Sequence, residues 1–236
     1  MTVDEHAEAS DPGRRRGDDR TWQGGRMPFP PSSSARSSTD RTAPVVRSAL
    51  VLAASLALGA LTFVLQGALP DAVRSFANSA SGWTVVTVLL VLWSRAGTAL
   101  AAVLGAASFV LLTLGYTAAA YASGLAYDPL LFSVVGVIVG PFVGVGASWL
   151  RSPGRRAALG TAVLAGIGLG EAAYGLTVVA ATTSAVYWVA IGVLALALLG
   201  VMLARRLPGA AAKVIAVVGS VVVAGAFLLA YQFLGA

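Results

Sequence analysis

After residue 44 the chain is a succession of apolar blocks separated by short polar or charged breaks. A bilayer core about 30 Å thick takes about 20 apolar residues per crossing helix, and seven blocks approach that length: 48–66, 76–94, 98–121, 129–150, 157–181, 184–204 and 214–231. They predict an all-α, polytopic transmembrane helix bundle of about seven spans (six to seven), in a membrane domain covering 45–236. The second block is the weak one. Its strongly apolar part, between Trp83 and Trp93, covers only about 16 Å at 1.5 Å per residue, so a crossing must recruit the small polar stretch 77–82.

Composition supports lipid as the solvent: 57% of residues are hydrophobic, 11% are charged, and the mean hydropathy is +0.82, outside the range of ordinary soluble domains. Residues 1–44 differ. They mix Arg, Asp, Ser, Pro and Gly without helical or alternating period, a composition that cannot bury enough apolar surface to offset its ordering entropy. A disordered cytoplasmic tail is expected there, and Met27 is a candidate alternative start. The tail holds seven acids and seven bases, so the net charge of +6 belongs to the remainder, where nine bases face three acids. The basic pI therefore reflects membrane topology, and no nucleic-acid partner is expected.

Charge also fixes the direction of the spans. Cytoplasmic loops collect Arg and Lys; an internal N-terminus with seven spans puts Arg41, Arg47, Arg95, Arg151, Arg155, Arg156, Arg205, Arg206 and Lys213 inside and only Arg74 outside. Were the second block not to cross, that segregation would break. The expectation is a multi-pass protein of the bacterial plasma membrane, N-terminus cytoplasmic and C-terminus outside.

Small residues mark packing faces. Gly136, Gly140 and Gly144 recur every fourth residue in the fourth span, and Gly166 and Gly170 do so in the fifth, spacings that let a neighbouring backbone approach closely. Pro141 removes a backbone donor and predicts a kink or an opening towards a cavity. Ala53 and Ala57, with Ser55 and Gly59, form a similar face on the first span, suited to internal packing or to a partner membrane protein or second copy.

Candidate chemistry is sparse. Glu171 is the single acid inside an apolar span; an isolated carboxyl there is costly and must either hold its proton or meet a polar partner. Tyr174, three residues on, shares its helix face, which predicts a hydrogen bond between the two. Gln66, Asn78 and Ser79, with Tyr116, Tyr121, Tyr187 and Trp188, fall towards the same outer side and are expected to line an outward-facing pocket with Glu171 and Tyr174 as a ligand or proton site. The competing reading makes Glu171 an interhelical hydrogen-bonding group, and Trp83, Trp93, Trp149 and Trp188 members of interfacial aromatic belts. With no cysteine and a single histidine, His6, in the tail, the sequence offers no catalytic triad, metal cluster or phosphate loop. No enzyme activity, metal or cofactor is expected.

The stretches Gly59-Ala-Leu-Thr-Phe-Val-Leu-Gln-Gly-Ala-Leu-Pro70, Phe76-Ala-Asn-Ser-Ala-Ser-Gly-Trp83 and Gly168-Leu-Gly-Glu-Ala-Ala-Tyr174 resemble a group of actinobacterial membrane proteins known only as a domain of unknown function, over about residues 48–206. Ala53 and Ala57 give a looser likeness to the substrate-binding S components of energy-coupling-factor transporters, which implies an outward pocket. The functional expectation is small-solute transport or permease-like activity with a site near Glu171; the alternative is a non-transporting scaffold or assembly protein.

Overall fold

The computed structural model describes residues 38–234; the expected tail therefore lies outside the described residues up to position 37. Among the described residues there are eight α-helices and no strand. The helices are α1 (Ser38–Ala68), α2 (Asp71–Arg74), α3 (Ala80–Ser94), α4 (Thr98–Ala122), α5 (Leu130–Trp149), α6 (Gly154–Tyr174), α7 (Ala185–Arg205) and α8 (Ala210–Leu234). A 3-10 turn, Ser75–Asn78, links α2 to α3, and a π turn, Gly175–Val179, extends α6. Helix α1 starts at Ser38, ahead of the expected boundary at residue 44, so residues 38–44 are helical.

Six helices are long and apolar enough to cross a membrane, and the chain is an all-α polytopic bundle. The second block departs from its expected form. It is two pieces, Asp71–Ala77 and Ala80–Ser94, bent by 55° at the intervening break, which gives seven spans if the bent pair is one. The reason is local. Ser79 is extended (φ −144°, ψ 153°) and its hydroxyl accepts from the Gly82 amide at 3.0 Å, starting a new helix within the block. At 15 residues α3 is about 22 Å long, short of the bilayer core.

The chain from α3 onward is three helical hairpins, α3–α4, α5–α6 and α7–α8. Each tight turn contains one left-handed residue: Arg95 (φ 55°), Gly154 (φ 61°) or Gly209 (φ 87°). Arginine side chains link the turns. Arg151 donates to the Leu92 and Ala96 carbonyls at 3.2 and 2.9 Å, and Arg206 reaches the Leu150 carbonyl at 3.5 Å. Each guanidinium thus meets carbonyls where the first helix of the preceding hairpin ends, the site a cation stabilises, and the Leu92 carbonyl also accepts the Arg95 amide. The contacts put the three basic turns at one end of the bundle. Val51 clusters with Ala96, Ala101 and Leu104, and Gln66 bonds Tyr116, so α1 runs parallel to α4 and begins at that same end. Replacing Arg151 by Gln is expected to lower stability by about 1 kcal/mol, read as a drop in the thermal unfolding midpoint.

Glycines set the closest helix pairs. A Cβ at Gly144 would overlap the Ala101 carbonyl, one at Gly140 would lie 2.6 Å from Ala106 Cα, and one at Gly136 would lie 2.8 Å from Phe109 Cβ. Those three therefore face α4, and α5 runs on through Pro141 as helix. Gly166 and Gly170 face α8, where a Cβ would lie 2.8 Å from the Ser220 carbonyl and 2.9 Å from the Ala224 carbonyl. The small-residue face expected on the first span divides. Ser55 is buried and Gly59 lies against Leu112 of α4, whereas Ala53 and Ala57 are exposed on the other side of the helix, because residues two apart point in different directions.

Candidate functional site

Glu171 lies 17 residues beyond Gly154 on α6, about 26 Å from the basic end, close to the level of the α3 N-terminus. The first amides of a helix have no partner within it, and in lipid water cannot supply one. Glu171, only 3% exposed, supplies it from α6: Oε1 accepts from the Ala80 amide at 2.7 Å and Oε2 from the Ser81 amide at 2.6 Å. The next two amides are met by Ser79, the Gly82 N–H by its hydroxyl and the Trp83 N–H, at 3.2 Å, by its carbonyl. A carboxyl between two amides at the positive end of a helix is both hydrogen-bonded and favourably placed in the helix field.

Other helices hold the same break. Gln66 of α1 donates through Nε2 to the Ala77 carbonyl at 3.2 Å and accepts at Oε1 from the Tyr116 hydroxyl of α4 at 3.1 Å. Tyr187 of α7 shares a hydrogen bond with the Ser79 hydroxyl. Helices α1, α6 and α7 thus fasten residues 77–81. Of the groups expected on one side, Glu171, Gln66, Tyr116 and Tyr187 meet at this break, whereas Tyr121 is exposed. Asn78 belongs to the 3-10 turn, and its side chain lies outside the described residues.

Two expectations are corrected. No hydrogen bond joins Glu171 to Tyr174 among the described residues; the Glu171 oxygens turn to the α3 amides and the Tyr174 ring packs on Tyr231, centroids 5.0 Å apart. Trp83 and Trp188 are not belt residues. Trp83 packs inward against the Phe109–Ile167 cluster, and Trp188 is 5% exposed, held by a bond from its indole N–H to the Thr183 hydroxyl at 3.1 Å.

Beside the break lies a cavity of about 410 Å³, within the range of small-molecule sites. Ser79, Ala80, Trp83 and Thr84 of the α3 start form one wall; α4, α5, α6 and α8 contribute Phe109, Val135, Val139, Ile167, Tyr174, Phe227 and Tyr231. Its lining holds no Asp, Glu, Lys or Arg. The indole N–H of Trp83 is buried without an acceptor. Tyr127, in the α4–α5 connection, closes the outer rim; burial, with Tyr116 and Asp128 nearby, raises its phenol above the ordinary value, which leaves it a neutral hydroxyl. A second cavity, about 460 Å³, is lined by Gln66, Asp71, Arg74 and the end of the π turn. No cluster of metal-ligating side chains occurs among the described residues.

A profile described as a family of unknown function (DUF6518) matches residues 38–236. The chain belongs to the DUF6518 family. No curated protein and no solved structure matches it. The DUF6518 match extends beyond residues 48–206 to include α8, the helix that packs on Gly166 and Gly170 and closes the cavity with Phe227 and Tyr231. Those two residues, with Trp83 and Tyr127, escaped the sequence reading. The run Ser79-Ala80-Ser81-Gly82 did carry a signal, a serine N-cap ahead of an apolar segment.

Proposed function

We propose that this membrane protein is a non-enzymatic small-solute binder of the transport or permease type, with its site in the 410 Å³ cavity and Glu171 holding the half-helix that forms one wall. The observation that carries the reading is the juxtaposition of that uncharged cavity with the start of a broken membrane helix. Discontinuous helices beside a midmembrane site are a recurring device of solute carriers. In this reading the bundle sits in the bacterial plasma membrane, its basic end and N-terminus cytoplasmic and its C-terminus outside, which opens the tyrosine rim outward. The cytoplasmic preference of Arg and Lys supports that direction. The outward-facing Ala53 and Ala57 suit a partner membrane protein or second copy, in line with the likeness to S components.

A second reading, a non-transporting scaffold, is favoured by the Glu171 bonds, which serve packing without any ligand. The two differ in saturable binding. In nanodiscs, 4-bromophenol is expected to quench the fluorescence component that Trp83→Phe removes, and to do so saturably. Val135→Phe, which fills the cavity, should weaken that binding at least tenfold. Quenching that rises linearly and equally in both proteins would favour the scaffold.

A further inference from the structure

The cavity has a polar end and an apolar end, and the gradient runs along the membrane normal. Its outer end carries the hydroxyls of Tyr127, Tyr174 and Tyr231. Counted along their helices from the basic end, Tyr174 and Tyr231 lie about 30 Å up, whereas Phe109 and Val139 lie about 15 Å up, near the bilayer midplane. The cavity therefore descends about 15 Å from a mouth bearing three phenol hydroxyls to a mainly apolar floor, where Thr84 carries a single hydroxyl. Its flank opens towards lipid. Helices α5 and α8 both pack on α6 but not extensively on each other, and the cavity residues Leu131 and Phe132 of α5 are half exposed, at 51% and 47%.

We propose that the solute is a neutral single-chain amphiphile that enters from the outer leaflet between α5 and α8. Its oxygen-bearing head meets the tyrosine hydroxyls and its hydrocarbon chain lies along Val135 to the floor at Phe109 and Val139. A compact polar solute would leave that floor unfilled. An anionic head would meet no cation in the lining, and a cationic head would find the nearest acid, Glu171, outside the lining with both oxygens bonded to α3 amides; a neutral head avoids the cost of desolvating an unpaired charge. The inference rests on the solute-binding reading above and names the class of solute.

The test uses the full chain in nanodiscs and follows the Trp83 fluorescence component, since Trp83 packs against Phe109 and Ile167 at the floor. Three probes are titrated: undecanol brominated at its terminal carbon, the matching terminally brominated undecanoate at pH 8, and 4-bromophenol. The bromoalkanol is expected to quench saturably, at least tenfold more tightly than 4-bromophenol, and Val135→Phe is expected to abolish the saturable phase. The carboxylate is expected to bind at least tenfold more weakly than the alkanol. Equal binding of alkanol and carboxylate would overturn the neutral head. Saturable quenching by 4-bromophenol without any by the alkanol would overturn the chain while leaving solute binding intact. Linear quenching by all three probes would remove both.

Discussion

Glu171→Ala is expected to destabilise the protein by about 3 kcal/mol or more, the largest loss from any single side chain outside the glycine contacts. Two amide bonds to a carboxylate contribute about 1.5–3 kcal/mol each. Measured interhelical bonds in membranes fall lower, around 0.6 kcal/mol on average, because the unfolded chain in lipid also finds partners. The Ala80 and Ser81 amides are a special case, since they start a helix and nothing else among the described residues meets them. Glu171→Gln should lose about half as much. It keeps one acceptor oxygen but turns an NH2 towards the second amide, two donors facing each other. The order parent, Gln, Ala in the unfolding midpoint is the expected result, and a Gln variant as stable as the parent would sink the two-acceptor arrangement.

Gly144→Val is expected to cost at least as much, about 3 kcal/mol, by a different route. A β-carbon there would overlap the backbone of Ala101, and backbone cannot swing aside as a flexible side chain can, so α4 and α5 would have to separate. Gly200→Ala and Gly225→Ala provide the contrast, because a Cβ at either meets nothing within 4 Å. In a helix interior that change is expected to be neutral or to stabilise by up to about 1 kcal/mol. Equal effects at Gly144 and Gly200 would show that α4 and α5 are not in backbone contact.

The sequence made the bundle legible because lipid imposes a coarse code: blocks of about 20 apolar residues and cations kept to one end. Arg95, Arg151 and Arg206 obeyed the code, and their turns lie together. Hydropathy averages over a window and cannot see a single extended residue, so the break at Ser79, ahead of α3, stayed hidden inside a block that read as one weak span. The candidate site was legible in its membership and not in its geometry. Glu171, Gln66 and Tyr187 do converge on one place. Their partners at the break are main-chain atoms of residues 77–81 and one serine hydroxyl, and side-chain identity says nothing about which backbone groups a fold leaves free. The expected bond from Glu171 to Tyr174 rested on shared helix face alone, and tertiary contact with α3 overrode it. Nothing in the sequence marks Tyr127 or Tyr231 for the site; only the packing of α8 on α6 turns Tyr231 into the cavity.

The capped break ahead of α3 organises the proposed site, and the amide protons of Ala80 and Ser81 report on it directly. In a proton–nitrogen correlation spectrum of the protein in nanodiscs, both are expected downfield of the other α3 amides, as short bonds to a carboxyl require. In Glu171→Gln at least one should move upfield while Gly82, bonded to Ser79, stays in place. Resonances of Ala80 and Ser81 that are indifferent to the substitution would contradict the account.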